Sequence, residues 1–413
     1  MFAGAGGLSE GFFRQNFDII AHVEKDKYAA QTLETRLLFH ELKKHKREEI
    51  YHQYMMNKHD ENARQYFVQE CKLHLSCNNR VINKEISVDT EDIIIEKINS
   101  YLKESYHEGI DIIIGGPPCQ AYSVMGRSRD SNRMIDDPRN ELYIHYLKFL
   151  EEYKPKIFVF ENVPGIKTAR KGQVYSDFQE KVQKLGYDIE TDILNALDFG
   201  VLQIRKRVII IGWKKSYKLT YPSFENNISS HKVWDLLEDL PKIEPGEGTR
   251  GPQEYRKKTT EYLQESGIRI KENILLDHEA RKHNERDREI YRRAIAEWNE
   301  NRKRLRYNKL PPYLKTHKNK TSFLDRFKVV DGDGYSHSIV AHLSKDGHHF
   351  IHPDINQSRS LTVREAARIQ SFPDNYIFEG PRTAQYIQIG NAVPPMMAEG
   401  IAIKIRKMLD EIR

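Results

Sequence analysis

The sequence predicts an α/β fold built on a doubly wound, mostly parallel sheet, with a second, smaller and irregular domain inserted before the carboxyl end. Three observations carry that reading. The first 215 residues hold short β-branched apolar runs separated by helix-sized segments: "DIIAHVE" (18–24), "DIIIGG" (111–116), "KIFVFENV" (156–163), "ETDIL" (190–194) and "RVIIIGW" (207–213). Nearly continuous apolar runs of this length are expected of strands buried on both faces of a parallel sheet. Beyond Trp213 the alternation stops, and residues 216–355 are rich in Pro, Gly and charge. Helical order then returns over 356–413.

Taken in order, the amino-terminal "FAGAGGLSEGF" is a glycine cluster that opens a helix. Residues 29–80 are long, charged and helical, and are expected to be an insertion between two strands that decorates the fold. In "SLTVREAARIQSFPDNY" (360–376), Thr362 and Glu365 have capping-box spacing, and Pro373 stops the helix. The last helix opens at Pro394–Pro395 and repeats Ala398, Ile401, Ile405, Met408 and Ile412 on one face, which is expected to pack back on the first domain.

Composition narrows the function classes. At 413 residues, 38% hydrophobic and 31% charged, the chain has a globular profile. No apolar run approaches the roughly 20 residues of a membrane helix, and the start lacks the order of a signal peptide. Cys71, Cys77 and Cys119 are too few for a disulfide framework, and a reducing, cytoplasmic setting fits. The net charge of +6 is uneven: residues 281–320 hold fourteen Lys or Arg against five Asp or Glu. That run points to a polyanionic partner, or to a solvated helix laced with ion pairs. The histidine-rich segment 335–354 matches no metal-ligand spacing and is read as structural.

Candidate chemistry lies at strand ends. Glu24 ends the run after the glycine cluster, where a Rossmann-like fold binds ribose hydroxyls. In "GGPPCQAYS", Pro117 and Pro118 stiffen the chain just before Cys119, as a nucleophile held at a fixed angle requires. Glu161 and Asn162 follow the apolar "IFVF"; burial there is expected to raise the Glu161 pKa, although a lone strand-end carboxylate also serves as a structural acceptor. In "LQIRKRVIII", Gln203, Arg205 and Arg207 alternate onto one face, and two buried arginines require an anion or carbonyl acceptor. The turn at Gly390–Asn391 precedes the last helix.

Together and in this order, "FAGAGG", "PPCQAYS", "ENV", "QIRKR", "SLTVREAARIQSFPD" and "QIGNAVPP" resemble the conserved blocks of the cytosine carbon-5 DNA methyltransferase family of bacterial restriction–modification type. The resemblance covers roughly 1–215 and 356–413. It implies an S-adenosylmethionine-dependent methyltransferase fold with a catalytic domain over 1–215 (insertion about 29–80), a target-recognition domain over 216–355, and a return to the catalytic domain over 356–413.

It also implies the chemistry. A cytosine flipped out of double-stranded DNA would be attacked at carbon 6 by Cys119, with Glu161 at ring nitrogen 3 and Arg205 and Arg207 on the carbonyl oxygen and nearby phosphate. Asn162 and Gln203 belong to the same catalytic blocks. The cofactor would be S-adenosylmethionine, held by Phe2, Gly4, Gly6, Glu24, Pro118, Asn391 and Val393, with Glu85–Ile86 or Asp89 near its adenine. The family needs no metal. The implied setting is a bacterial cytoplasmic monomer bound to nucleoid DNA and associated functionally with a restriction endonuclease.

Two features depart from the family pattern. An apolar strand ending in Asp-Leu usually precedes the phenylalanine, whereas Phe2 follows Met1 directly; a version extended upstream is expected to melt higher. The second is the 29–80 insertion. Rival readings are a tRNA cytosine methyltransferase, disfavoured by the long basic middle, and a DNA-binding regulator without catalysis, disfavoured by the intact Cys119, Glu161 and arginines. A nicotinamide oxidoreductase would share the glycine turn alone.

Overall fold

A computed structural model of the protein describes all residues except 76–78, 119–141, 271–273, 318, 320 and 413. Cys77 and Cys119 lie outside the described residues. The main elements are α1 (Gly7–Arg14), β1 (His22–Glu24), α2 (Lys27–Lys44), α3 (Glu48–Met56), α4 (Ala63–His74), β2 (Val81–Asn83), α5 (Glu91–Glu104) and β3 (Ile112–Gly115). They continue with α6 (Leu142–Tyr153), β4 (Ile157–Asn162), α7 (Gln173–Lys184), β5 (Tyr187–Asn195), β6 (Gln203–Ile204) and β7 (Lys206–Lys214). After these come α8 (Glu285–Asn301), β8 (Ser336–His337), α9 (Val363–Ile369), α10 (Arg382–Asn391) and α11 (Pro395–Ile412).

The main sheet has the order β3-β4-β7-β5, and β1 and β2 form a separate parallel pair. Residues 1–3 lie between the two: the Met1 amino group donates to the Ile114 carbonyl at 2.9 Å, and the Ala3 amide to that of Val23 at 3.0 Å. β3 and β4 are parallel, but β7 runs antiparallel to both its neighbours. This corrects the expectation for "RVIIIGW": an apolar run on both faces reports burial on both faces, not strand direction. "ETDIL" is also corrected. It lies inside the longer β5, an edge strand whose Glu190, Asp192 and Ile193 are exposed. The three-residue β2 carries too short an apolar signal to have been read from sequence.

Alternate residues of the central strands feed two cores. Ile157, Val159, Ile209 and Ile211 face α1 and α11, packing on Phe12, Ala398, Ile401 and Ile405. Phe158, Phe160, Val208 and Ile210 face α5, α6 and α7, packing on Ile98, Tyr146 and Phe178. Each such side chain, fully buried, stabilises the fold by about 1.5–3 kcal/mol. The amphipathic spacing of 395–412 therefore does what its pattern predicts and returns the chain to the sheet.

The 29–80 region forms α2, α3 and α4, joined by Phe39, Tyr51, Tyr54 and Phe67 in a core that includes Leu276 and Ile377. Its helices also grip Glu379, whose carboxylate accepts from Thr35 and Tyr54 at 2.7 Å. These helices are thus fastened to residues far along the chain.

Residues of the 216–355 stretch share a core with the stretches before and after it: Leu236, Leu263, Val330 and Phe350 pack with α9, α10, Ala5 and Leu202. Buried arginines of the "SLTVREAARIQSFPD" block, and Arg359 just before it, brace it. Arg368 bonds Asp239 and Asp374, and Arg359 takes the Glu365 carboxylate at 2.7 and 2.8 Å. Thr362 and Glu365 form the expected capping box.

The histidines of the 216–355 stretch are packing residues. His278 bonds Thr362 and the Pro241 carbonyl, and His337 reaches the His349 carbonyl at 2.6 Å. Among the described residues, no group of three or more His, Cys, Asp or Glu is placed to hold a metal. Burial lowers His278 to about 4, and His337 and His352 to about 3, from 6.5. The folded chain keeps them neutral, whereas the unfolded chain takes up protons below 6.5, so their stabilisation is present above 6.5 and is lost as pH falls towards 3. Each contributes a slope of about 1.4 kcal/mol per pH unit within its window. Denaturant melts should show stability falling steeply between pH 6.5 and 4, and a His278→Asn, His352→Asn double variant should flatten that fall.

Candidate active site

The site forms at the carboxyl ends of the parallel strands, where open α/β sheets bind ligands. β3 and β4 are in register with Gly115 opposite Phe160, so Gly116 stands beside Glu161. A Cβ on Gly116 would lie 2.4 Å from the Glu161 carbonyl oxygen and 2.7 Å from Oε2. Only a glycine allows this approach, a requirement visible in sequence as the second glycine of "GGPP" but not assigned to the site there. One residue on, Asn162 donates from Nδ2 to the Pro117 carbonyl at 3.2 Å and accepts at Oδ1 from the Val163 amide. Asn162 therefore fixes the proline loop that leads to Cys119.

Across the sheet, Arg207 on β7 places Nε 2.8 Å from Glu161 Oε1; the two side chains are 13% and 15% exposed. The apolar setting expected for Glu161 is corrected accordingly: its carboxyl has a guanidinium partner and some access to solvent, because β7 brings Arg207 alongside β4.

The alternation expected for "QIRKR" holds, with Gln203 and Arg205 buried and Ile204 and Lys206 exposed. Arg205, which the resemblance sets on the substrate, bonds to protein acceptors. Its Nη1 donates to the Ser338 hydroxyl at 3.2 Å and the Ile339 carbonyl at 2.6 Å, and its Nη2 to the Gly390 and Ala392 carbonyls at 3.0 and 2.8 Å. These acceptors help make the buried charge tolerable. Gln203 is likewise turned into the protein. It donates to the Ile369 carbonyl and Gln370 Oε1, and accepts from the Ile339 amide. Arg207 is the member of the trio that meets Glu161.

The second half of the site is the glycine turn. Glu24 accepts the Gly4 amide at Oε2 (2.7 Å) and the Asp26 amide at Oε1 (2.8 Å), and burial raises its pKa above 4.5 against those bonds. Phe2 and Gly4 take left-handed φ values of 50° and 54°, and Gly6, at 82°, begins α1. Above Gly4 a Cβ would meet nothing within 4 Å. Val393 closes the other side: its carbonyl would be 2.2 Å from a Cβ on Gly7, which presses residues 390–393 on the glycine turn; the tight turn expected at Gly390–Asn391 is instead the last turn of α10. Asn391 is exposed there, and Pro118 is half-buried. Ile86 is buried, Asp89 is exposed, and the Glu85 carboxylate pairs with Lys25 at 3.1 Å.

A family model for C-5 cytosine-specific DNA methylases matches residues 1–61 and 75–407. The chain belongs to the C-5 cytosine-specific DNA methylase family. The segment left out, 62–74, coincides with α4. The methylase is 43% identical, over 99% of its length and 98% of the relative's, to the type II methyltransferase M.Bpa9945I of Bacillus paralicheniformis. It is 32% identical, over 100% and 89% of the two chains, to M.DdeI of Desulfomicrobium norvegicum. A solved structure described as a prophage-encoded DNA modification methyltransferase (E. coli) superposes with a TM-score of 0.65 at 26% identity, covering 99% of this chain and 98% of that one. The methylase is therefore a DNA cytosine-5 methyltransferase of the type II restriction–modification kind. No helix among the described residues is long and apolar enough to cross a membrane.

The basic run is less free than its charge implied. On α8, Arg292 pairs with Glu285 and Arg293 with Glu289, while Arg304 lies over the Trp298 ring. Exposed pairs of this kind are weak, about 0–1 kcal/mol, so phosphates can still compete for them. Reversing all three charges should weaken DNA binding and flatten its dependence on salt concentration; an unchanged slope would make α8 a solvated face only.

Proposed function

We propose that the methylase transfers the methyl group of S-adenosylmethionine to carbon 5 of a cytosine flipped out of double-stranded DNA, through a covalent bond to Cys119. The observation that carries this reading is the Glu161–Arg207 pair, held beside Gly116 at the strand ends, across from the glycine turn and Glu24. Cys119 follows Pro118 directly, three residues after Gly116.

Cys119 bonds to carbon 6 as a thiolate, since the thiol is a poor nucleophile. The electron pair that would accumulate on the ring is met at nitrogen 3 by the Glu161 carboxyl, while Arg207 orients that carboxyl and reaches the carbonyl oxygen. Carbon 5, made an enamine carbon, takes the methyl group. Loss of its proton to a base and departure of the Cys119 sulfur restore the ring. Asn162 positions the loop, so that attack geometry is set before the base arrives.

The glycine turn fits the cofactor. Gly4 leaves open space above the backbone, and the Glu24 carboxylate keeps acceptor capacity beyond its backbone amide bonds, which suits ribose hydroxyls. When bound, the cofactor supplies an electrophilic methyl group. Phe2, Gly6, Pro118, Asn391 and Val393 line the same end, and Ile86 with Glu85 or Asp89 would meet the adenine. Cofactor affinity should fall as pH drops towards 4.5, because Glu24 takes up its proton above the ordinary carboxylate range and then loses acceptor strength. Calorimetric titration of wild type and Glu24→Gln checks this; equal pH dependence in both would remove Glu24 from the ribose site.

In the cell the methylase would act as a monomer on cytoplasmic, nucleoid DNA and protect the sequence cut by a partner endonuclease. The test is transfer of labelled methyl from S-adenosylmethionine to unmethylated DNA, with bulk tRNA in parallel and Cys119→Ser as control. Label in DNA that is lost in the variant supports the proposal. Label in tRNA alone overturns the substrate, and DNA binding without transfer makes the chain a regulator.

A further inference from the structure

Arg205 is fully buried and stands two residues from Arg207, the arginine that meets Glu161. Its guanidinium reaches two separate stretches of chain. Nη1 holds Ser338 and Ile339, immediately after β8, the strand that pairs in parallel with β6. Nη2 holds the Gly390 and Ala392 carbonyls, which flank Asn391 in the stretch pressed on Gly7. Gln203 reinforces the first stretch through the Ile339 amide, and Gln370 the second through the Ile389 carbonyl at 2.6 Å. Gly390 is itself seated on the Val340–Ala341 backbone, 2.2–2.3 Å from where its Cβ would be, so the two stretches touch directly beneath Arg205.

We infer that Arg205 is a positioning residue that sets residues 390–393 for the cofactor and ties them to residues 338–341 of the 216–355 segment. The inference rests on the proposed cofactor site at the glycine turn. A planar, five-donor guanidinium can hold four acceptors on two chains at fixed angles, and a lysine ammonium cannot. Loss of that geometry leaves buried carbonyls without donors and frees residues 390–393 to shift, while Arg207 and Glu161 keep their own pair.

The test compares Arg205→Lys with Arg359→Lys, which disturbs a buried arginine remote from residues 390–393. For each, the melting temperature and the equilibrium dissociation constant for S-adenosylmethionine are measured on the full chain, without DNA. A positioning role predicts that Arg205→Lys weakens cofactor binding by about tenfold, while Arg359→Lys destabilises comparably but binds as wild type does. Unchanged affinity in Arg205→Lys, or equal weakening in both, overturns the inference. If Arg205→Lys does not fold, Ser338→Ala carries the test. Removing one acceptor should raise hydrogen exchange at the Asn391 and Ala392 amides, and wild-type exchange there would overturn it. A wild-type chain that binds no S-adenosylmethionine would overturn the cofactor reading, and this inference with it.

Discussion

Glu161→Gln should lower the methyl-transfer rate by about 10²- to 10⁴-fold, the usual range for a lost general acid, with little change in melting temperature. The amide matches the carboxylate in shape and still offers an oxygen to Arg207 Nε, now 2.8 Å from Oε1. It cannot deliver a proton to ring nitrogen 3, so the electron pair left by thiolate attack stays on the ring. The pair is mostly buried, at 13% and 15% exposure, so it is the hydrogen bond kept by the amide that limits the loss of stability. Cofactor affinity should not change, because Glu24 and the glycine turn have no bond to Glu161. A variant rate within a few-fold of wild type would remove Glu161 from the chemistry.

Gly116→Ala should be nearly as damaging for a different reason. The added methyl would sit 2.4 Å from the Glu161 carbonyl and 2.7 Å from Oε2, distances no relaxed side chain tolerates. Either the ends of β3 and β4 part or the carboxylate swings away from Arg207. A displacement of about 1 Å at reacting groups costs on the order of 10²-fold in rate, and the strain should lower stability by about 1–3 kcal/mol. Labelled methyl transfer and a denaturant melt on the same preparation separate the two effects. Full activity in a stable Gly116→Ala protein would contradict the placement of Glu161 against β3.

Much of this was legible in the sequence because the signals are local. Strand ends at Glu24, Gly116 and Glu161, the capping box of Thr362 and Glu365, and the returning amphipathic face of 395–412 depend on neighbours a few residues apart. What escaped depended on partners far along the chain. The direction of β7 is set by its pairing with β4 and β5, which apolar content does not encode. Arg205 and Arg207 look alike in "QIRKR", yet one meets carbonyls 134 and 185 residues away and the other meets Glu161. The three helices over 29–80 read as a decoration because their contacts to Leu276, Ile377 and Glu379 have no sequence signature.

The central claim is a covalent bond between Cys119 and carbon 6 of the target cytosine, and a mechanism-based trap tests it most directly. Duplex DNA carrying 5-fluorocytosine would be incubated with the methylase and S-adenosylmethionine, and the intact protein mass measured under denaturing conditions. Fluorine cannot depart from carbon 5 as a cation, so the adduct persists. The account predicts a species with the mass of protein, strand and one methyl group, absent in Cys119→Ser. Methylation of ordinary cytosine DNA with no such species, or with a species that survives Cys119→Ser, would contradict it.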